Sequence, residues 1–293
     1  MAENIEKYIV EQASKVFKTT DIQIVKRLEG GMSNYTYVIQ ADGRKYTYRV
    51  PGQNAEEFVN REEELAHIQA VDSLGLNNRT VYFDIKSGEK AAEYVEGTIL
   101  SQTDDVSRYD AQSAAALHKL HNSHVVLKPY AAFDRLARYE QLCREQHHVF
   151  HDGYKTCIDR LQAMRPAYES LPQVPCHCDY QPTNLVVGKD RFYVLDWEFA
   201  GMNDPYYDIA CYGNVSMPAA ESLLAAYLGR TPDAADLKRL YFHRTYQCLQ
   251  WYNVAIFKDG VGLSRALNMD FNQIALMFLG FATDLMGKID RLG

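Results

Sequence analysis

The sequence predicts an α+β fold of two lobes, with a small β-rich N-terminal lobe over residues 1–97 and a larger, mainly helical C-terminal lobe over residues 98–293. After a helix over residues 4–18, strand-like alternation with one amphipathic helix fills the first third of the chain, and a helical period dominates the remainder. Short β-like runs between residues 174 and 195 break the helical series. Strands followed by helices are typical of α+β folds, so we expect a cleft between two lobes.

The elements of the first lobe follow from apolar spacing and turn residues. Residues 4–18 carry apolar side chains at helical spacing, and the next runs are rich in Val, Ile, Thr and Tyr. Asp42 and Gly43 are a favoured pair for a two-residue hairpin, and Gly75 is typical of a helix stop. The predicted order is a helix over 4–18, strands over 21–28, 34–41 and 44–50, a helix over 56–74, and strands over 80–85 and 90–95.

After Gly97 the sequence becomes mainly helical. Apolar spacing predicts helices over residues 110–121, 134–150 and 154–171, with several more from residue 206 to the end. Within residues 185–195, two apolar runs flank a Gly-Lys-Asp turn, which predicts a small β-hairpin.

Composition and charge exclude several classes of protein. A hydrophobic content of 47% in 293 residues is enough for a substantial core. The net charge of −7 and the pI near 5.7 argue against a nucleic-acid partner, which would select clustered Lys and Arg. No apolar stretch is long enough to span a membrane, and the acidic N-terminus is unlike a secretory signal. We expect a cytoplasmic protein, and the sequence leaves its oligomeric state open.

Cysteine and histidine patterns give little support for a zinc site. Six cysteines in a chain without an export signal are expected to be reduced thiols. The triplet Cys176, His177 and Cys178 offers too few ligands for a typical structural zinc site. His147 and His151 stand four apart on a predicted helix and are more typical of a solvated helix face.

Residues 174–210 contain the groups best suited to chemistry. Asp179 precedes Asn184 by five positions, and Asn184 precedes Asp196 by twelve. The predicted hairpin brings its ends together, so the side-chain oxygens of Asn184 and Asp196 can share Mg²⁺, which prefers few protein ligands. Asp179 is then a candidate to accept or orient the proton of a substrate hydroxyl. Phosphoryl transfer from a nucleotide needs both functions.

The alternative interpretation is that these residues only form turns, in which Asp and Asn are common. A match of this kind is expected by chance in on the order of 2% of chains. Each acidic residue also adjoins an apolar strand-like run, which a solvated loop does not need. Taken alone, Gly30 and Gly31 are more typical of a simple turn, and Arg49 of a surface charge.

A resemblance covers nearly the whole chain. HCDYQPTNLVV (residues 177–187) followed by VLDWEFAGMNDPYYDIA (residues 194–210) resembles the signature of the choline kinase and aminoglycoside phosphotransferase families, whose fold is similar to that of protein kinases. Residues 200–205 most resemble bacterial choline kinases, and residues 28–34 resemble the loop that covers the phosphates in these families.

The resemblance implies a role for each matching residue. It implies that Asp179 is the catalytic base and that Asn184 and Asp196 are the metal ligands. Asn60-Arg61 with Glu64 resembles the start of the first-lobe helix of the family, so Arg49 is expected to be the cation paired with Glu64. The fixed charge of an arginine suits binding to the α- or β-phosphate.

Two further segments are implied to bind the nucleotide. The first is the loop Gly30, Gly31, Met32, Ser33 and Asn34, whose glycines permit positive φ angles that let backbone N–H groups approach phosphate. The second is the run of residues 90–97, which resembles the hinge between lobes. Backbone groups from Glu93 to Val95 are candidates to hydrogen-bond an adenine edge.

Three histidines near these motifs are predicted to have structural roles. His118 and His121 have helical spacing among small apolar neighbours, so a core or near-core position is favoured over catalysis. His177 is expected to orient the catalytic loop through hydrogen bonds.

The residues that contact the acceptor are harder to assign. Aromatic faces and carboxylates bind quaternary ammonium groups, which makes Trp251, Phe199 and Glu198 candidates. The helix around Trp251 resembles a choline kinase helix with two tryptophans three residues apart, but Cys248 and Val254 occupy those positions here. These departures weaken choline as substrate more than they weaken kinase activity.

The sequence therefore predicts a kinase that transfers the γ-phosphoryl group of ATP, with Mg²⁺, to the hydroxyl of choline or a related amino alcohol. One alternative is an aminoglycoside or other small-alcohol phosphotransferase. Another is a non-catalytic, pseudokinase-like module that binds nucleotide.

Overall fold

The computed structural model describes residues 2–28 and 34–293. Its contacts divide the chain into two compact units. The first unit comprises Met1–Val106, Val125–Leu127 and Pro182–Ala200, and the second comprises Ser107–His124, Lys128–Gln181 and Gly201–Gly293. The first unit thus includes a segment from far along the chain, and the lobe boundary near residue 97 stays a prediction.

The first unit is built around a five-stranded antiparallel sheet in the order β1-β2-β3-β5-β4. Helix α1 packs on it through Ile9 and Ala13, which are buried with Tyr37, Ile39 and Tyr48 of the sheet. The elements are α1 (Ala2–Phe17), β1 (Ile22–Leu28), β2 (Asn34–Ala41), β3 (Arg44–Pro51), α2 (Arg61–Val71), β4 (Thr80–Phe83) and β5 (Lys90–Glu93).

The β2–β3 turn has the geometry expected of its sequence. Asp42 and Gly43 have φ angles of 47° and 78°, the left-handed conformation that a two-residue hairpin turn requires. The resulting register places Thr36 opposite Arg49 across the pair, and Arg49 opposite Lys90 on the next strand. Two cations therefore lie side by side in the centre of the sheet.

Helix α2 is shorter than the predicted helix over residues 56–74. Its first residue is Arg61, because the Asn60 side chain accepts hydrogen bonds from the backbone N–H groups of Glu62 (3.0 Å) and Glu63 (3.2 Å) and so caps the helix. A separate 3₁₀ turn precedes it, and another follows it before Gly75, which has a φ of 60° and ends the element as predicted.

A second sheet in the first unit carries the predicted small hairpin. It is antiparallel, in the order β6-β8-β9. Its strands are β6 (Gly97–Ile99), β8 (Leu185–Gly188) and β9 (Phe192–Val194).

The second unit is mainly helical, and its longest helix, α8, has 27 residues. A capping box formed by Asp233 and Asp236 starts α8. The helices are α3 (Asp110–His121), α4 (Ala132–Glu145), α5 (Tyr154–Glu169), α6 (Pro205–Cys211), α7 (Met217–Leu228), α8 (Ala234–Gly260), α9 (Leu263–Leu267) and α10 (Phe271–Arg291), with a two-stranded pair of β7 (Val174–Cys176) and β10 (Gly201–Asn203).

The histidine pair of the sequence analysis does not lie on a helix. Helix α4 ends at Glu145, and His147 adopts a φ of 56°, so the prediction that His147 and His151 share a helix face is wrong. All six cysteines are free and buried, as expected for reduced thiols. Among the described residues, no helix combines the length and apolarity needed to cross a membrane.

Candidate active site

The β8–β9 hairpin brings the two predicted metal ligands close along the backbone. Leu185 pairs with Val194, and the Leu195 N–H donates to the Asn184 carbonyl oxygen at 2.8 Å. Asp196 follows with a φ of 65°, a conformation that few residues other than glycine adopt. Its side chain is about one-third exposed, at 33%. The local fold therefore presents the Asp196 carboxylate at the exit of the hairpin.

Arg49 and Glu64 form a buried, two-pronged ion pair. Arg49 Nη1 and Nη2 donate to the two Glu64 oxygens at 2.7 and 2.8 Å, and the side chains are 4% and 0% exposed. Of the three consecutive glutamates, only Glu64 is fully buried. A fork-to-fork geometry is stronger and more directional than a single contact. The structure thus brings together the pair that the family resemblance implied.

Two cations that the sequence analysis gave no role complete the surroundings of Glu64. Lys90 Nζ lies 3.0 Å from Glu64 and 3.6 Å from Asp196. Arg61 Nη1 donates to Glu64 at 2.6 Å and to Glu198 at 2.9 Å. The position of Lys90 opposite Arg49 follows from strand pairing, which a single sequence does not reveal. Arg61 stood in a recognised pattern, but its partner Glu198 is distant in sequence.

Glu198 is buried among these cations. Its carboxylate accepts from Arg61 at 2.9 Å, from Arg49 at 3.3 Å and from the Asn34 amide at 3.3 and 3.4 Å. Arg49 also reaches Asp196 at 3.3 Å. We call this group the charged cluster; its members are Arg49, Arg61, Lys90, Glu64, Asp196 and Glu198.

The charged cluster shifts the pKa values of Glu64 and Glu198 in opposite directions. Burial opposes ionisation of Glu64, but the charges of Lys90 and Arg49 outweigh it and hold the Glu64 pKa well below its usual value. Burial and the neighbouring Asp196 charge raise the pKa of Glu198. Burial likewise disfavours the charged form of Arg49, yet the Glu64 carboxylate raises the Arg49 pKa above its usual value.

The oxygen donors of the charged cluster fit a hard divalent cation. Carboxylate oxygens of Glu64, Asp196 and Glu198 lie within 4.8 Å of one another, and Mg²⁺ prefers oxygen ligands. Both Glu64 oxygens already bind Arg49, whereas Asp196 is the most exposed of the three. Asp196 is therefore the best placed of these carboxylates to bind an ion.

The predicted base, Asp179, lies in the second unit on the loop after β7. Its backbone N–H donates to His177 Nδ1 at 3.2 Å, and the Gln181 amide donates to its Oδ2 at 3.1 Å. The contact with His177 agrees with the orienting role expected of that residue. Cys178, next to Asp179, has a φ of 60°. The loop therefore holds a strained turn directly before the candidate base.

One buried carboxylate fixes this turn. Asp208 accepts the backbone N–H groups of His177 at 2.8 Å and of Cys178 at 2.7 Å, and His121 Nε2 lies 3.0 Å from the same carboxylate. Asp208 and its partners are buried. The sequence analysis assigned no role to Asp208, although it lies within the motif DPYYDIA, because its partners are some thirty residues earlier.

The histidines near these motifs differ in their contacts and in their exposure. Cys176 shares a possible metal group with His121 and Asp208 rather than with its sequence neighbours. Since Asp208 already binds two backbone N–H groups, this group is explained as a structural network. His121 is buried as predicted, but His118 is exposed and stacks on Tyr227 at 4.3 Å, so its predicted core position is wrong.

The remaining predicted contacts fall in different surroundings. The Glu93 N–H donates to the Arg79 carbonyl oxygen and the Glu93 carbonyl oxygen accepts from Asn78, each at 2.8 Å, so Glu93 has less capacity for an adenine edge than Val95. Gly30, Gly31, Met32 and Ser33 lie outside the described residues, whereas Asn34 begins β2.

The candidate acceptor residues differ in exposure. Phe199 is 6% exposed, and Glu198 is committed to the charged cluster. Trp251, on α8, is partly exposed, whereas Cys248 and Val254 three positions away are buried. Of the three candidates, Trp251 is the most accessible.

Comparison with known proteins fits this geometry. The sequence profile of the phosphotransferase enzyme family matches residues 24–243. The chain belongs to this family. Protein LicA of Haemophilus influenzae is 29% identical over 239 residues, which cover 76% of this chain and 70% of that protein. The family and this relative support a phosphotransferase of the small-molecule kinase type.

Solved structures share the fold. The crystal structure of choline kinase LicA from Streptococcus pneumoniae has a TM-score of 0.78 and 24% identity, and the match covers 97% of this chain and 99% of that one. A crystal structure of LicA in complex with AMP has a TM-score of 0.78 and 22% identity, and covers 98% of each chain. The β-rich and helical parts predicted from the sequence are those of this protein kinase-like fold.

Proposed function

We propose that the protein transfers the γ-phosphoryl group of ATP, in the presence of Mg²⁺, to the hydroxyl of choline or a related amino alcohol. The observation that carries the proposal is the buried Arg49–Glu64 pair beside the partly exposed Asp196 carboxylate. Such a group offers a fixed cation for phosphate and an oxygen ligand for a metal ion. The relatives named choline kinase favour an amino alcohol as acceptor.

The first unit would hold the nucleotide. Asp196 and Asn184 would supply oxygen ligands to Mg²⁺, which would neutralise charge on the phosphates. Arg49 would present its permanent charge to phosphate oxygens while Glu64 keeps its side chain oriented. The glycine loop before Asn34 would cover the phosphates, and the Val95 backbone would contact the adenine. We assign nucleotide binding to residues 1–97 and catalysis with acceptor binding to residues 98–293.

Asp179 would accept or orient the proton of the acceptor hydroxyl. The Gln181 amide donates to Asp179 Oδ2 at 3.1 Å, and this contact would fix the plane of the carboxylate. The backbone N–H groups of His177 and Cys178 donate to Asp208, and these hydrogen bonds would hold the loop that carries Asp179. A base held in one geometry gives general-base assistance without reorganising its loop.

Trp251 is the residue we propose to face the acceptor. Quaternary and protonated amines bind aromatic faces, and Trp251 is the accessible aromatic among the three candidates. Glu198 has its Oε2 bound by both Arg49 and Arg61, so its contribution to the acceptor would be electrostatic.

A panel of acceptors tests the proposal. ADP release is coupled to a spectroscopic readout with choline, ethanolamine, other small alcohols and aminoglycosides, each with Mg²⁺ and with EDTA, and with ATP or GTP as donor. Mg²⁺-dependent turnover that is fastest with choline or ethanolamine is the expected result. Faster turnover with an aminoglycoside would contradict an amino alcohol as the acceptor and would indicate an aminoglycoside phosphotransferase. Tight ATP binding with no turnover on any acceptor would indicate a non-catalytic nucleotide-binding module.

A further inference from the structure

The two arginine contacts of Glu198 differ in length, and the shorter one is with Arg61. Arg49 Nη1 is shared among three carboxylates, at 2.7 Å from Glu64 and at 3.3 Å from both Asp196 and Glu198. Arg61 Nη1 approaches Glu198 more closely, at 2.9 Å. Arg61 is therefore the nearer cation of Glu198, and Arg49 is mainly the partner of Glu64.

Arg61 also binds only one of the two Glu198 oxygens. Both arginine contacts go to Oε2, whereas the contact of Oε1 is a longer one, 3.4 Å from the Asn34 amide. The arginine contacts therefore anchor Oε2 and leave Oε1 less engaged. Glu198 is 5% exposed, so these neighbouring side chains have a large part in setting its orientation.

The neighbours of Arg61 hold its side chain beside Glu198. It is the first residue of α2 and is 9% exposed, and it bonds Glu64 within its own helix as well as Glu198 from the segment after β9. A Cβ on Gly88 would lie 2.7 Å from Arg61 Nε and 2.8 Å from Pro51 Cγ. A glycine at this position thus leaves the room that the arginine stem occupies.

We propose that Arg61 is a positioning residue that holds the Glu198 carboxylate in place while Arg49 engages phosphate. Under the proposed function, Arg49 would also engage phosphate, and its 3.3 Å contact with Glu198 is the longer of the two arginine contacts. Arg61 would keep Glu198 oriented beside Asp196 through its 2.9 Å contact. The inference rests on the proposed function for the identity of the nucleotide and the metal ion. It adds Arg61 as a residue that keeps the segment carrying Asp196 and Glu198 aligned when both are bound.

The test measures binding as well as rate. Calorimetry gives the ATP affinity of the full chain in Mg²⁺ and in EDTA, and electron paramagnetic resonance gives Mn²⁺ affinity in the presence of ATP. We expect Arg61→Gln to weaken metal binding about tenfold, the effect typical of losing a partner behind a ligand. ATP affinity in EDTA should stay unchanged, and Arg61→Lys should restore part of the loss. Arg44→Gln, at the exposed first residue of β3, is the matched control.

A double-mutant cycle separates positioning from general stability. In a Glu198→Gln background, Arg61→Gln should cause little further loss of metal affinity, because its target is gone. Additive losses would overturn the inference, as would an equal loss of ATP affinity in EDTA. The cycle is independent of the acceptor: a chain that turns over no alcohol but shows the coupling refutes the proposed function alone, and normal turnover with additive losses refutes the inference alone.

Discussion

Asp196 and Asp179 are both proposed to act in phosphoryl transfer, yet they are held by different forces. Asp196 lies among arginines and a lysine, in a cluster where three cations face three carboxylates. The loop of Asp179 is held by backbone N–H groups that donate to the single buried carboxylate of Asp208. The first arrangement depends on charge balance and the second on backbone shape.

This difference predicts how substitutions in each region should affect the protein. A conservative change of charge in the charged cluster should alter metal and phosphate binding, because the remaining ions lose their counter-charge. A change at Asp208 should alter the conformation of the loop and leave nucleotide binding in the first unit intact.

The largest expected effect comes from Asp179→Asn. Removing a general base typically costs about 10²–10⁴ in rate, so kcat should fall by that factor while ATP affinity and the urea midpoint stay near the wild-type values. Coupled ADP release and calorimetry measure the two quantities. Asp190→Asn, on the exposed hairpin tip, is the control. A near-normal rate would remove Asp179 from the proposed role.

Arg49→Met should produce the largest loss of stability. It leaves Glu64 buried without its two-pronged partner, and breaking a buried pair costs about 3–5 kcal/mol. Arg49→Lys should cost less, because one charge remains but the fork is lost. Urea unfolding gives both values, and equal losses for the two variants would show that the fork geometry contributes little.

Asp208→Asn should cost about 3 kcal/mol, since two backbone hydrogen bonds lose their charged acceptor. Measuring kcat and ATP affinity then separates this variant from Arg49→Met. We expect kcat to fall and ATP affinity to persist in Asp208→Asn, whereas Arg49→Met should lose ATP affinity. Loss of ATP affinity in Asp208→Asn would contradict the separation between charge balance and backbone shape.

The pH dependence should distinguish two carboxylates within the charged cluster. The Glu64 pKa is held below its usual value of 4.5, so its ionised form stabilises the fold above that pH and the contribution is lost as pH falls through the folded pKa. The Glu198 pKa is raised, so its contribution is present at low pH and lost as pH rises.

At pH 7, Glu64→Gln should therefore destabilise the protein more than Glu198→Gln, because only Glu64 is stabilised in its ionised form. Urea unfolding between pH 7 and pH 4 measures the gap, which should narrow below the usual glutamate pKa of 4.5. A gap that widens at low pH would reverse the assignment of the two shifts.

The smallest expected effect is that of Tyr227→Phe. The Tyr227 hydroxyl lies 3.0 Å from His121 Nδ1, on the side of the ring away from Asp208. Losing one such hydrogen bond costs about 1 kcal/mol, and kcat should change less than twofold because Asp208 keeps its backbone contacts. A larger fall in kcat would extend the network that shapes the loop as far as Tyr227.

Sequence reasoning found the parts of the site that are encoded locally. The hairpin between Asn184 and Asp196 follows from two apolar runs around a glycine turn, and the turn at Asp42 and Gly43 follows from its residue types. The limits of α2 were wrong because Asn60 caps the helix, and a cap outweighs apolar spacing at a helix end.

The residues that were missed have partners far along the chain. Lys90 joins the charged cluster through pairing of β3 with β5, and Asp208 reaches the loop of Asp179 across thirty residues. Glu198, a candidate for substrate contact, also binds two arginines, Arg49 and Arg61, that lie 149 and 137 residues earlier in the chain. Neither spacing nor composition encodes such long-range contacts.

The sequence by itself determined the α+β class and the order of its elements, and it named the acids that we propose act in phosphoryl transfer, because periodicity and turn chemistry act over a few residues. The tertiary structure decided which charges meet. It selected Glu64 from three adjacent glutamates, paired Arg61 with Glu198 and placed Asp208 behind the loop of Asp179. Burial makes an unpaired charge costly, so the packed fold and not the local sequence fixes each partner.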